Sequence, residues 1–255
     1  MKLLIFKGLA LMSVAMLIAF GLKEKPIKVW LIGDSTMCAY AASRAPVTGW
    51  GMPFADFFDA TVQVENRAKG GRSTRTFLSE QRWQAVADSL SNGDYVFMQF
   101  GHNDEAKEER YKDRYTPVAD YKKNLLRFIT ETRNKMAHPV LVTPVSRMRF
   151  DQKGNALETH AEYSNAVHEV AREQQVPVVD LDKESRELFQ KLGPEKTRLL
   201  FMQIEPGVNP IYPEGQKDNT HFNELGARKM AELVLRQMRI NHLDLINRIF
   251  KPTVK

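Results

Sequence analysis

Short apolar runs alternate along this chain with longer stretches in which apolar residues recur every three or four positions. The runs at 28–32, 62–65, 95–100, 140–143 and 178–181 are rich in β-branched or aromatic residues and are bounded by Gly, Pro, Asp or Asn, as strands are. Between them Trp83, Val86, Ala87 and Leu90 recur at i, i+3, i+4 and i+7, and Tyr121, Leu125, Phe128 and Ile129 draw a similar helical stripe. Thr116-Pro117 predicts an N-cap and a first-turn proline for that second helix. Ala227, Met230, Ala231, Val234 and Met238 predict a closing helix capped by Asn223. Near-continuous apolar strands separated by helices imply an α/β fold, a parallel sheet covered on both faces. Residues 193–216 carry four prolines and read as a long surface loop, and 250–255 as a frayed tail. No internal repeat or low-complexity linker divides the chain, so 27–250 reads as one domain.

The first 22 residues break this pattern. Lys2 and Lys7 precede an apolar stretch at 9–20, then Gly21-Leu22 and the polar Lys23-Glu24-Lys25-Pro26. A basic start and an apolar run of this length read as a secretory signal peptide, shorter than the ~20 apolar residues a spanning helix needs. Ala19-Phe20-Gly21 is the nearest small-x-small cleavage pattern, and an uncleaved anchor is the alternative. No lipid-attachment cysteine follows the apolar stretch. The expectation is export, to the periplasm or beyond, with no stable membrane partner unless the leader stays in place.

What remains, roughly 230 residues, is long enough to bury a core without covalent support. The single cysteine, Cys38, excludes an intramolecular disulfide and a thiolate metal cluster. The formal charge of +6 includes Lys2 and Lys7, so loss of the leader leaves +4. Basic residues are interspersed with acids, as in Lys107-Glu108-Glu109-Arg110, and no basic stripe carries interleaved aromatics, which argues against a nucleic-acid partner. A mildly basic surface suits a polyanionic substrate such as an acidic polysaccharide.

The chemistry lies at the ends of the strands. Gly33-Asp34-Ser35-Thr36 follows the first, Lys69-Gly70-Gly71-Arg72 the second and Gly101-His102-Asn103-Asp104 the third, while Asp218-Asn219-Thr220-His221 precedes the closing helix. Ligands of open parallel sheets bind outside the carboxyl ends of the strands, so these strings converge on one edge. A serine hydroxyl is a weak nucleophile until an imidazole takes its proton. Ser35 would attack an ester carbonyl with His221 as general base. Asp218, three residues before His221, would fix its tautomer and stabilise the imidazolium. The backbone N–H groups of Ser35 and Gly71 and the side-chain amide of Asn103 would donate to the oxyanion, and glycine at 71 lets the backbone approach without a Cβ.

Ser35, Gly71, Asn103 and His221 match in order the four signature residues of the SGNH (GDSL-type) hydrolases, and the chain resembles that family from about residue 28 to the end of the closing helix. Gly49-Trp50-Gly51, Ala68-Lys69-Gly70-Gly71-Arg72-Ser73, Phe100-Gly101-His102-Asn103-Asp104 and Asp218-Asn219-Thr220-His221-Phe222 are similar to the rhamnogalacturonan acetylesterase branch, as is Thr143-Pro144-Val145-Ser146-Arg147. The resemblance implies a three-layer α/β/α fold with a flavodoxin-like sheet of five parallel strands. It also implies no metal or other cofactor, and removal of acetyl groups from pectic polysaccharide. Related sequences deacetylate xylan and other sugars, and the same chemistry serves lipid esters and thioesters. A non-enzymatic, anchored carbohydrate-binding module is the rival from another class, opposed by the complete catalytic set.

Other residues have plainer readings beside functional ones. Asp34 reads as capping its turn, Asp104 as ordering its loop and His102 as orienting the loop beside Asn103. Cys38 is a rival nucleophile or a packing residue. His160 and His168 sit eight apart without further metal ligands. Arg72 and Arg147 are candidate partners for galacturonate carboxylates, as are Arg75 and Arg149, with ordinary ion pairs the alternative. Trp50 would stack on a sugar face or lie partly buried.

Overall fold

The strands β1 (Ile27–Gly33), β2 (Val62–Asn66), β3 (Tyr95–Gln99), β4 (His138–Val142) and β5 (Val178–Val179) form one parallel sheet in the order β2-β1-β3-β4-β5. The computed structural model describes residues 26–251, so the leader read at 1–22 lies outside the described residues. β1 is flanked on both sides, with Val29 opposite Val64 of β2 and Tyr95 of β3. The chain therefore leaves β2 at one edge and returns to pair β3 on the far side of β1. That reversal opens a crevice beyond the carboxyl ends of β1 and β3, where open α/β sheets bind their ligands.

The sheet's side chains alternate between two cores. Val29, Leu31, Phe97, Val140 and Val142 face the first, which α1 (Gly51–Phe54), α6 (Leu181–Arg198) and α7 (Glu224–Ile240) close with Phe54, Phe189, Met230 and Val234. Trp30, Ile32, Val96, Met98 and Leu141 face the second. There α2 (Thr74–Ser79), α3 (Arg82–Ser89), α4 (Val118–Asn134) and α5 (Ala161–Gln174) contribute Phe77, Trp83, Phe128 and Val167. Burial of each such side chain contributes roughly 1.5–3 kcal/mol, which is why strands apolar on both faces and helices with one apolar stripe settle into three layers.

Two local expectations are corrected. Pro117, not Thr116, occupies the N-cap of α4; the Thr116 hydroxyl donates instead to the Arg114 carbonyl at 3.0 Å. The stretch 193–216 is not one long loop. Gly193, at φ 71°, only kinks α6, whose last turns begin at Pro194, and β6 (Phe201–Ile204) then pairs antiparallel with β7 (Gln216–Phe222). Only the tip at 205–215 is irregular, and three of the four prolines lie in it. The closing helix begins as expected, with Asn223 Oδ1 accepting from the Gly226 N–H at 3.0 Å. Of the tail read at 250–255, residues 252–255 lie outside the described residues; Phe250 is tethered, its N–H donating to the Phe57 carbonyl at 2.8 Å.

Candidate active site

Ser35 stands in a turn fixed from beneath. The Asp34 carbonyl accepts from the N–H groups of Met37 and Cys38, at 3.3 and 3.0 Å, and Asp34 Oδ1 accepts from the Thr36 N–H and hydroxyl, at 2.9 and 2.8 Å. This is the capping role expected of Asp34. The Tyr40 hydroxyl donates to the Ser35 carbonyl at 2.8 Å, and the Cys38 thiol approaches the same oxygen at 3.7 Å. With its carbonyl held inside, Ser35 turns Oγ toward His221, whose Nε2 lies 2.9 Å away.

His221 reaches that position through a bulge. Phe201 pairs with Phe222, yet its neighbour Met202 pairs with Asp218, so 219–221 stand out of the β6–β7 ladder. Bulges re-aim side chains beside binding sites. Inside this one, Asp218 Oδ1 accepts from the N–H groups of Thr220 and His221, at 2.7 and 3.0 Å, while Oδ2 lies 2.7 Å from His221 Nδ1. Burial pushes the Asp218 carboxyl up, but the hydrogen bond and charge of His221 and the two backbone donors outweigh it and hold the group below its ordinary 3.8. An ionised carboxylate on Nδ1 favours a proton there and leaves Nε2 as an acceptor facing Ser35. At the other end of the bulge, α7 begins directly against β6; a Cβ on Gly226 would collide with the Leu200 carbonyl oxygen.

Gly71 and Asn103 line the same cleft as Ser35 and His221. Gly71 has φ +78°, a left-handed conformation that glycine adopts without strain. Asn103 Nδ2 donates to the Arg72 carbonyl at 3.1 Å, and its Oδ1 accepts from Arg114 Nη1 at 3.1 Å. The ends of β1, β2 and β3 and the bulge in β7 thus bring together the five residues singled out for catalysis: Ser35, Gly71, Asn103, Asp218 and His221.

Below them runs a buried polar chain. The Trp50 indole donates to Gln99 Oε1 at 2.5 Å, Gln99 Nε2 to Thr36 Oγ1 at 2.5 Å, and the Thr36 hydroxyl to Asp34 Oδ1; Asp34 Oδ2 lies 3.2 Å from His102 Nδ1. Every donor in this chain leads toward Asp34, which is fully buried. Burial raises its carboxyl, but the charge and hydrogen bond of His102 and the Thr36 donors bring it below 3.8. His102 also packs on the ring of His160, centroids 4.2 Å apart. His160 is buried, and His168 lies 3.2 Å from Asp180. Asp104 orders its loop as expected, with Oδ1 accepting from the Thr74 N–H and hydroxyl at 2.9 and 2.6 Å; burial pushes its carboxyl up to about 7. Burial likewise raises the Cys38 thiol, which keeps it protonated and a poor nucleophile.

None of the five residues proposed from sequence to touch a sugar, Trp50, Arg72, Arg75, Arg147 and Arg149, lines the cleft. Trp50 is 0% exposed and serves the polar chain below it. Arg72 Nε pairs with Glu80 at 3.0 Å, and Arg147 pairs with Glu105 at 2.5 Å in a separate surface hollow. The cleft, about 520 Å³, is instead lined by Tyr40, Arg44, Lys69 and Arg114 around Ser35, Gly71, Asn103 and His221, with no Asp or Glu in its wall. Among the described residues, Arg44, Lys69 and Arg114 have no carboxylate partner. Lys69 lies within a motif noted from sequence; Arg44 and Arg114 lie in charged or irregular stretches that carry no local signal.

The GDSL-like Lipase/Acylhydrolase family model matches residues 29–234. The chain is 44% identical over 212 residues to the rhamnogalacturonan acetylesterase RhgT of Bacillus subtilis (strain 168), covering 83% of this chain and 89% of that protein. Among solved structures, the YxiM protein of Bacillus subtilis superposes with a TM-score of 0.74 at 26% identity, over 86% of this chain and 58% of that one. A catalytic mutant of Axe2, an acetylxylan esterase from Geobacillus stearothermophilus, shares the fold with a TM-score of 0.60 at 18% identity, over 85% of this chain and 96% of that one.

Proposed function

This chain belongs to the GDSL-like lipase/acylhydrolase family and is a carboxylic ester hydrolase, and from that premise we propose that it is an exported acetylesterase of acidic, pectic polysaccharide acting through an acetyl–Ser35 intermediate. The observation that carries the proposal is the unbroken line from Asp218 through His221 to Ser35 Oγ, with hydrogen-bonding distances of 2.7 and 2.9 Å. As Ser35 Oγ bonds to the acetyl carbonyl carbon, His221 Nε2 takes the hydroxyl proton. The negative charge moves to the carbonyl oxygen, where the N–H groups of Ser35 and Gly71 and the Asn103 amide donate to it. The carbon–oxygen bond to the sugar then breaks, and His221 gives its proton to the departing hydroxyl. Water, deprotonated by the same imidazole, attacks the acetyl–serine and releases acetate.

The substrate class is supported by the similarity to RhgT and by the charge of the cleft. Among the described residues Arg44, Lys69 and Arg114 have no carboxylate partner and no Asp or Glu lines the cleft, an arrangement that attracts a uronate-bearing chain. A neutral xylan gains nothing from it. Export is supported by the basic and apolar pattern of residues 1–22. The test is acetate release from acetylated rhamnogalacturonan, acetylated xylan and p-nitrophenyl esters of increasing acyl length. Preference for the pectic polymer and for acetate is expected, with activity abolished in folded Ser35→Ala. Full activity in that variant would end the mechanism, and a preference for xylan or long acyl chains would end the substrate assignment.

A further inference from the structure

An asparagine amide has nearly the same shape after half a turn about its last bond, but the turn exchanges an acceptor for a donor. A donor toward an oxyanion lowers the barrier; an acceptor in the same place repels the charge. An asparagine that serves an oxyanion therefore needs something to decide which way it faces. At Asn103 both ends of the amide have partners of fixed polarity. Arg114 can only donate, and its Nη1 lies 3.1 Å from Asn103 Oδ1; the Arg72 carbonyl can only accept, and it takes one N–H of Nδ2 at 3.1 Å. Turning the amide would set donor against donor and acceptor against acceptor. In the observed orientation the second N–H of Nδ2 remains, on a side chain that lines the cleft beside Ser35.

Arg114 is itself held for this task. Its guanidinium lies 4.3 Å from the centroid of the Tyr111 ring, and its backbone N–H donates to the Tyr111 carbonyl at 2.9 Å. Among the described residues no carboxylate competes for it, so its charge is directed at the Asn103 carbonyl. A cation on the oxygen of an amide polarises it and strengthens the N–H at the other end. Arg114 also reaches the second donor loop, since a Cβ at Gly71 would lie 3.8 Å from its Cζ.

We propose that Arg114 is a positioning residue that locks the Asn103 amide with its free N–H toward the acyl oxygen. This rests on Asn103 acting as an oxyanion donor, as proposed above. Its test is a double-mutant cycle between Arg114→Met and Asn103→Ala, with Arg114→Lys as the conservative variant, assayed on neutral p-nitrophenyl acetate and on acetylated rhamnogalacturonan. Misaiming a catalytic group can cost ~10²-fold, so Arg114→Met is expected to lower kcat roughly tenfold or more on both substrates, with KM for the neutral ester little changed. Arg114→Lys, which keeps a charged donor, is expected to recover part of the loss. Asn103→Ala is expected to lower kcat ~10²–10³-fold. Adding Arg114→Met to Asn103→Ala then changes kcat less than about twofold, because nothing remains to be positioned. An equal loss in both backgrounds would overturn the proposal. So would an effect confined to KM for the acidic polymer, which would make Arg114 a substrate contact. Wild-type kcat in folded Arg114→Met beside a crippled Asn103→Ala would overturn the role of Arg114 alone, whereas wild-type kcat in Asn103→Ala would overturn the oxyanion assignment and this proposal with it.

Discussion

His102 Nδ1 lies 3.2 Å from Asp34 Oδ2 in a buried pair that joins the residue before Ser35 to the residue before Asn103. The pair ties the turn after β1 to the loop after β3, so Ser35 and Asn103 rest on one clamp. Removing His102 leaves Asp34 Oδ2 buried without its hydrogen-bond partner, at a cost of about 1–3 kcal/mol. His102→Leu is expected to be destabilised to that extent at pH 7 in urea unfolding. The Asp34 carboxyl is held below its ordinary value, so its contribution is complete above about pH 4 and is lost as the pH falls through the lower folded value. The deficit of His102→Leu should accordingly shrink on acidification. A deficit independent of pH would contradict an ionised Asp34.

Asp104 has the opposite sign. Burial pushes its carboxyl up to about 7, opposed by the Thr74 hydroxyl and N–H. Between about pH 4 and 7 the folded protein holds a proton that the unfolded chain has released, so stability falls as pH rises, by at most about 1.4 kcal/mol per unit. Asp104→Asn keeps an acceptor for Thr74 and removes the titration. The stability of the variant relative to wild type should therefore rise from pH 5 to pH 8; parallel stability curves would rule the shift out.

Trp50 serves the fold beneath the site and not the sugar. Trp50→Phe fills most of the same space but leaves Gln99 Oε1 buried without its indole donor, which costs about 1–3 kcal/mol. A lowered melting temperature with KM unchanged is expected. A large rise in KM with normal stability would restore the stacking role expected from sequence.

Cys38 lines the cleft, yet its thiol is pushed up by burial. Cys38→Ser should keep most of the activity that Ser35→Ala loses, and alkylation of the native protein at pH 7 should be slow beside that of the unfolded chain. Loss of acetate release in Cys38→Ser alone would reassign the nucleophile.

Arg44 and Lys69 are exposed on the cleft rim, so their effect should be electrostatic and screened. Arg44→Gln and Lys69→Gln are expected to raise KM for the acidic polymer severalfold at low ionic strength, and salt should raise the wild-type KM toward theirs. Hydrolysis of p-nitrophenyl acetate should not respond. Equal effects on the neutral ester would place these residues in the chemistry instead.

Much of the fold was legible because burial leaves a periodic trace. The five apolar runs became the five parallel strands, and the stripes through Trp83 and Tyr121 became α3 and α4. The candidate catalytic residues were equally visible, since Ser35, Gly71 and Asn103 each sit in a short polar or glycine-bearing string directly after a strand. β6 was hidden within a proline-rich stretch: four residues carry little periodicity, and its partner β7 holds Gln216, Lys217, Asp218 and Asn219, polar residues that read as loop.

Chain-local signals sufficed for the class of the fold, the edge where the site forms and the residue types that meet there, because each depends on spacing along one segment. Partners across long sequence separations were another matter. Arg72 and Arg147 look as available as Arg114 when read along the chain, and only folding puts Glu80 and Glu105 beside the first two and the Asn103 carbonyl beside the third. Trp50 meets Gln99, 49 positions away, and His221 meets Ser35 across 186, aimed by a bulge whose register exists only once β6 and β7 have paired. A side chain's charge and size are written in the sequence; which charge it neutralises and which surface it faces are set by the packing of the sheet.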